Sequence, residues 1–223
     1  MSKGVSEVVG ALTVILLIVS VAGILYIMSY PIISDSEEAI KYRKAYFDLL
    51  EINEKIENVG SGLQYNSTYT LRISGLSFNF ENEPIFILNN RSLRVSSIKV
   101  FGNGWEILYE NGAIIERRIS YSKLLHYPSI YYDREKDVLT LPIVKFSGAQ
   151  AIGGKGHVTL NFKLNNVERG YLSNCTMKII SSNPNIWKNL LNDIGISNVT
   201  VSGKEVTFTV SRLEFTIYEV QVL

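Results

Sequence analysis

A single cysteine, Cys175, stands among 223 residues, so no internal disulfide and no thiolate metal cage can form. There are only two histidines, His126 and His157, and they lie far apart in the chain. Neither belongs to a nucleophile motif, and Gly-x-Ser-x-Gly is absent. The net charge is +1, without the basic excess of a nucleic-acid binder or an acidic tail for a basic partner. A phosphate-binding loop is also missing. Near Gly154-Lys155 the required earlier glycine is replaced by Ala149, and Gly156 stands where Ser or Thr belongs. Gly148 to Gly156 therefore reads as a turn before a strand. The acidic cluster Asp35-Ser36-Glu37-Glu38 reads as a helix start and Asp133 to Asp137 as a solvated turn, so no metal site is assigned. The chain reads as non-enzymatic and free of cofactors.

What the sequence does have stands at its front. From Val8 to Ser34 no charge occurs, and the run is mostly Val, Ile, Leu, Ala and Gly. As a helix it would extend roughly 39 Å, more than the ~30 Å of a bilayer's hydrocarbon. A helix apolar on every side must face lipid or other apolar helices. The run is too long for the apolar region of a secretory signal, and Tyr30-Pro31-Ile32-Ile33 does not resemble a cleavage site. Gly10, Ala11, Ser20, Ala22 and Gly23 offer small positions where helices can approach closely, a composition also ordinary in membrane helices. Pro31 is expected to kink or break the helix, and a second, amphipathic segment follows to about Val59. Its apolar positions read as Ala39, Ile40, Tyr46, Phe47, Leu50 and Ile56, ending at Gly60-Ser61-Gly62.

Beyond Tyr65 the period becomes two. Alternation at Tyr69-Leu71-Ile73, the Asn103-Gly104 and Asn111-Gly112 turns, and the run Val158 to Leu164 predict about ten short strands. A bulge is expected at Ser96-Ser97. One short helix is marked by Asn183, Pro184 and Gly195, with Trp187, Leu190, Leu191 and Ile194 on one face. The fold class is α+β: a long N-terminal hydrophobic helix, then a mostly β, sandwich-like outer domain with one short helix. Four sequons, at Asn66, Asn90, Asn174 and Asn198, are candidate N-glycosylation sites of an exported domain.

Lys3-Gly4 followed by Val5-Ser6-Glu7-Val8-Val9-Gly10 resembles the class III signal and first helical turn of archaeal type IV pilin-like proteins. Residues 125–223 resemble the larger members in the order of their features: Pro128 to Asp133, Leu139 to Pro142, Gly153-Gly154 and the Trp187 helix. The resemblance implies a leader of residues 1–4, cut between Gly4 and Val5 with Lys3 as the preceding basic residue. It implies a kinked helix over 5–60 and an extracellular β-rich domain over 61–223. It implies assembly through Glu7, Gly10, Ala11 and Pro31, although Glu7 would be the third mature residue rather than the fifth. Its expected partners are the membrane before assembly, copies of itself or related pilins, the prepilin peptidase with the pilus machinery, and a surface or cell-envelope target. The location implied is a membrane-anchored precursor and then a cell-surface filament for adhesion. Lys41, Arg43 and Lys44 outnumber Lys3, and by charge alone would place the large domain in the cytoplasm. A second reading stays open: a single-pass anchored β-sandwich binding module, archaellum stator-like, that does not polymerise.

Overall fold

The computed structural model describes residues 3–148 and 151–222, with side chains from residue 9 onward. Two compact units divide between Lys41 and Tyr42. The division falls inside helix α1, which runs over Lys3–Gly60. Pro31 lies within it without interrupting it, so the break expected there does not occur. A proline removes one backbone donor, here the one that would reach the Ile27 carbonyl, and the surrounding apolar turns keep theirs. Asp35 to Glu38 are accordingly not a fresh helix start. They lie mid-helix, with Glu38 accepting from Lys41 Nζ at 2.6 Å.

In the outer unit the end of α1 buries Ala45, Leu49, Ile52, Ile56 and Val59, spaced by four, three, four and three residues. This stripe differs from the one expected. Ile56 belongs to it, but Phe47 is 60% exposed and Leu50 only half-buried; in the first unit Ile40 is exposed as well. Burial follows the small and branched side chains that fit against a sheet. The larger ring at position 47 is left outside.

The sheet has twelve strands, in the order β7-β6-β5-β4-β1-β10-β12-β9-β8 along its main path. The long members are β1 (Asn66–Glu81), β10 (Ile152–Ile180) and β12 (Glu205–Val222). Strands β4 (Ser97–Gly102), β5 (Trp105–Glu110) and β6 (Ala113–Arg118) form a meander joined at the two expected Asn-Gly turns. The ladder is antiparallel except where β9 (Val138–Ser147) runs parallel to β12, from Arg212↔Val138 to Gln221↔Ser147. The short strands are β2 (Ile85–Leu88), β3 (Arg91–Arg94), β7 (Ser122–His126), β8 (Tyr131–Asp133) and β11 (Thr200–Ser202).

Side-chain alternation sorts β5 and β6 between two cores. Ile107, Tyr109 and Ile114 pack with the α1 stripe, whereas Leu108, Ala113 and Ile115 join the cluster built by β9, β12 and helix α2 (Pro184–Ile194). One hydrogen-bonded sheet thus doubles over itself, and β5 and most of β6 are covered on both faces. This is the sandwich-like arrangement of an α+β chain.

The ladder departs from the expected pattern at two places. No bulge joins Leu93 to Phe101. The chain leaves β3 and starts β4 as a separate strand, with Val95 N–H donating to Pro84 O at 2.9 Å and Ser96 N–H to Val144 O at 3.2 Å. Of the stretch Gly148 to Gly156 expected as a turn, residues 152–156 belong instead to β10, with Gly153 and Gly156 paired to Ser77 and Ile73. Residues 164–175 of β10 are paired in the ladder along one side only, between the end of β1 and the start of β2. A register shift at Leu164/Asn166, the charges of Glu168 and Arg169, and the Arg91–Glu168 pair at 2.5 Å guard that edge.

Asn111 ties the two layers. In the left-handed region at φ 50, it donates from Nδ2 to Pro142 O at 2.8 Å and accepts at Oδ1 from Val144 N–H at 2.9 Å. Pro142 has no amide of its own, so the side chain pairs with β9 as a strand neighbour would. Asn111→Ala is expected to cost about 2–3 kcal/mol by leaving buried backbone groups unpaired, measured as a lower midpoint in urea.

Candidate assembly surface

From Val9 to Ile33 every large apolar side chain of α1 is exposed, from 48% at Val21 to 71% at Ile27. This stretch is long and apolar enough to cross a membrane. Two of its hydroxyls are satisfied locally. Thr13 Oγ1 donates to Val9 O at 2.8 Å and Ser20 Oγ to Leu16 O at 2.7 Å, so neither hydroxyl needs water. Tyr26 and Tyr30 stand one turn apart with ring centroids 6.2 Å from each other, near the end of the span where aromatic rings suit a membrane interface. A Cβ built on Gly10 or Gly23 meets nothing within 4 Å. Ala11 is likewise exposed. The side chains of Lys3, Gly4, Val5 and Glu7 lie outside the described residues, so the leader and the assembly role of Glu7 have no geometry here.

The four sequon asparagines are all exposed. The fold gathers three of them. Asn89, beside Asn90 in the β2–β3 turn, donates its N–H to Thr176 O at 2.9 Å and accepts the Thr176 N–H at Oδ1, also at 2.9 Å. Asn174 and Asn198 line one polar hollow of about 430 Å³ with Asp137 and Ser211. The Asn198 amide already donates to the Thr209 carbonyl at 3.0 Å and to its hydroxyl. Asn66 stands apart, at the start of β1. No periodicity could have shown this clustering, which depends on the pairing of β2 and β12 with β10.

The other candidate residues are held in structural contacts. Asp133 Oδ1 accepts the N–H groups of Glu135 and Lys136 in its turn. Asp137 accepts from Tyr132 at 2.8 Å and from the Ser211 N–H at 2.8 Å. Burial opposes its charge, yet these hydrogen bonds outweigh it and hold the carboxyl below its ordinary range. His157 is exposed on β10 opposite Arg72, and His126 closes β7 opposite Ile114. Among the described residues no group of three His, Cys, Asp or Glu side chains converges as a metal site would require. Cys175 is buried, and desolvation pushes its thiol up.

A helix of this surface, joined to a doubled sheet, defines a membrane-type anchor segment carrying a β-rich domain. Residues 3–222 match the model of DUF7289, a family of unknown function, and the chain belongs to that family. It is similar to an uncharacterized protein of Archaeoglobus fulgidus, 28% identical over 225 residues, covering 86% of this chain and 84% of the relative. No solved structure matches it significantly.

Proposed function

We propose that this chain is a non-enzymatic, pilin-like subunit of an archaeal cell-surface filament. It is inserted as a precursor, cut between Gly4 and Val5, and assembled through its first helix, displaying the β-rich unit outward for surface contact. The observation that carries this reading is the unpartnered apolar surface from Val9 to Ile33. Lipid covers such a surface before assembly, and identical helices cover it afterwards, held by close van der Waals packing because the exchange removes no further apolar area from water. The resemblance of residues 3–10 to a class III signal and the archaeal relative support the same reading.

N-terminal mass spectrometry of protein taken from cells tests it. The mature chain is expected to begin at Val5 and to be recovered in sheared fibres labelled by antibody to the outer unit. A chain that keeps Met1, with label confined to membranes, would make this protein a single-pass anchored binding module instead.

A further inference from the structure

Burial of Ala45, Leu49, Ile52 and Ile56 on the sheet leaves the opposite face of the same helix segment open. Arg43, Phe47, Glu51 and Glu54 follow one another there at spacings of three and four residues, and all four are exposed. Arg43 makes no ion pair with any described residue. Glu51 and Glu54 reach only Lys55, at 3.8 and 3.7 Å, the outer limit of an ion pair. Glu57 adds a third carboxylate and accepts the Ser129 hydroxyl at 2.7 Å. Phe47, Leu50, Glu51, Glu54, Glu57 and His126 line a groove of about 380 Å³ along this face, with an apolar floor and an acidic rim.

The charges on this face are segregated. The cation stands at residue 43 and the carboxylates lie about 12 and 16 Å further along the axis. On one rigid helix the two ends cannot meet. A second, parallel helix displaced by about that distance brings them together.

We propose that this face is an interface with a second copy of the chain, in which Arg43 of one copy enters the acidic groove of the next and pairs with Glu51 and Glu54. Phe47, 60% exposed in the single chain, is covered by the same contact. The inference rests on the filament reading, since copies inserted in one bilayer from the same side present their helices parallel. The contact is heterologous: each copy uses its cation toward one neighbour and its groove toward the other. Such a contact propagates into an open array instead of closing as a dimer. Charge complementarity of this kind sets register and rejects wrong staggers more than it adds raw affinity.

The test uses the full chain assembled in its own cells. Arg43→Glu is expected to lower the yield of sheared filaments about tenfold, with unchanged membrane content and an unchanged melting curve. The charge-swapped chain carrying Arg43→Glu with Glu51→Arg and Glu54→Arg is expected to recover most of that yield. The pair Arg43→Cys and Glu54→Cys is expected to give a ladder of disulfide-linked oligomers from filaments, Cys175 being buried. Native filaments with an unaffected Arg43→Glu yield and no ladder would overturn the inference while leaving the filament reading intact. Cross-links running only to a different polypeptide would also overturn it. Absence of filaments from the native chain would remove both.

Discussion

Replacing Trp187 with alanine is expected to have the largest effect on stability of any single change in the outer unit. Its ring is fully buried, packs edge-on against Phe86 at 5.7 Å and 86°, and lies in the cluster that joins α2 to β9 and β12. Truncating such a ring costs about 3–5 kcal/mol through lost burial and the cavity left behind. Its indole N–H also donates to Glu110 Oε2 at 2.7 Å. Removing that donor leaves a buried carboxylate less satisfied, at a further cost of about 1–3 kcal/mol. A domain stable by about 5–15 kcal/mol loses a large part of its margin. Thermal and urea melts of the detergent-solubilised chain should show it, with Trp187→Phe intermediate.

Glu110 sharpens that expectation. Burial pushes its carboxyl up from the ordinary glutamate range, opposed by hydrogen bonds from Trp187 and Ser181 and by the charge of Lys99. The folded chain therefore holds this proton more tightly than the unfolded one. The group's contribution is complete below the ordinary glutamate value and is lost as pH rises through the folded one. Glu110→Gln keeps acceptors for Trp187 and Ser181 without a charge to desolvate. It is expected to match or exceed native stability at neutral pH and to remove this part of the pH slope. Glu110→Ala, which leaves both donors unpaired, is expected to destabilise.

The same network shows how far the sequence could be read. Asn183, Pro184, Trp187, Leu190 and Gly195 are local signals, and α2 falls where they place it, with Gly195 in the left-handed region at φ 108. Glu110 carries no local sign of its role, because it alternates with Ile107 and Tyr109 as a surface residue of a half-buried strand would. It is buried because the sheet doubles over, and that depends on pairings dozens of residues apart. The length of β10 was hidden for a related reason. Asn165 to Asn174 is mostly polar and mostly exposed, so its pattern suggests a loop between two strands. The backbone ladder to β12 nonetheless continues through Val167↔Tyr218 and Leu172↔Leu213. Hydropathy reports what lies beneath a strand and says nothing about what lies beside it. The parallel pairing of β9 with β12 and the existence of β7 escape a local reading in the same way. The phase of the amphipathic helix was half legible. Residues 39–59 carry apolar side chains on two faces, and only packing shows that the Ala45–Val59 stripe meets the sheet.

Gly10→Leu is expected to act in opposite directions on the two readings of the first helix, which makes it the most informative change there. A Cβ at position 10 meets nothing within 4 Å and the neighbouring described side chains are exposed, so the single chain has room for the substitution. Exchanging glycine for a good helix former gains about 1 kcal/mol of helix propensity, and leucine enters a membrane more favourably than glycine. A lone anchor is thus expected to be unaffected or slightly improved, with undiminished membrane content and surface labelling. A helix that must lie close against copies of itself is expected to fail, since a branched side chain pushes apart backbones that a glycine lets approach. On the filament reading the yield of sheared fibres falls by at least about tenfold while membrane protein accumulates, a gap of about 1.4 kcal/mol or more per subunit contact. Gly10→Ala, smaller by three carbons, should fall between. A fall in fibre yield with membrane protein accumulating marks a helix that exchanges lipid for its neighbours, whereas undiminished membrane content with no fibre to lose marks one that stays dissolved in lipid.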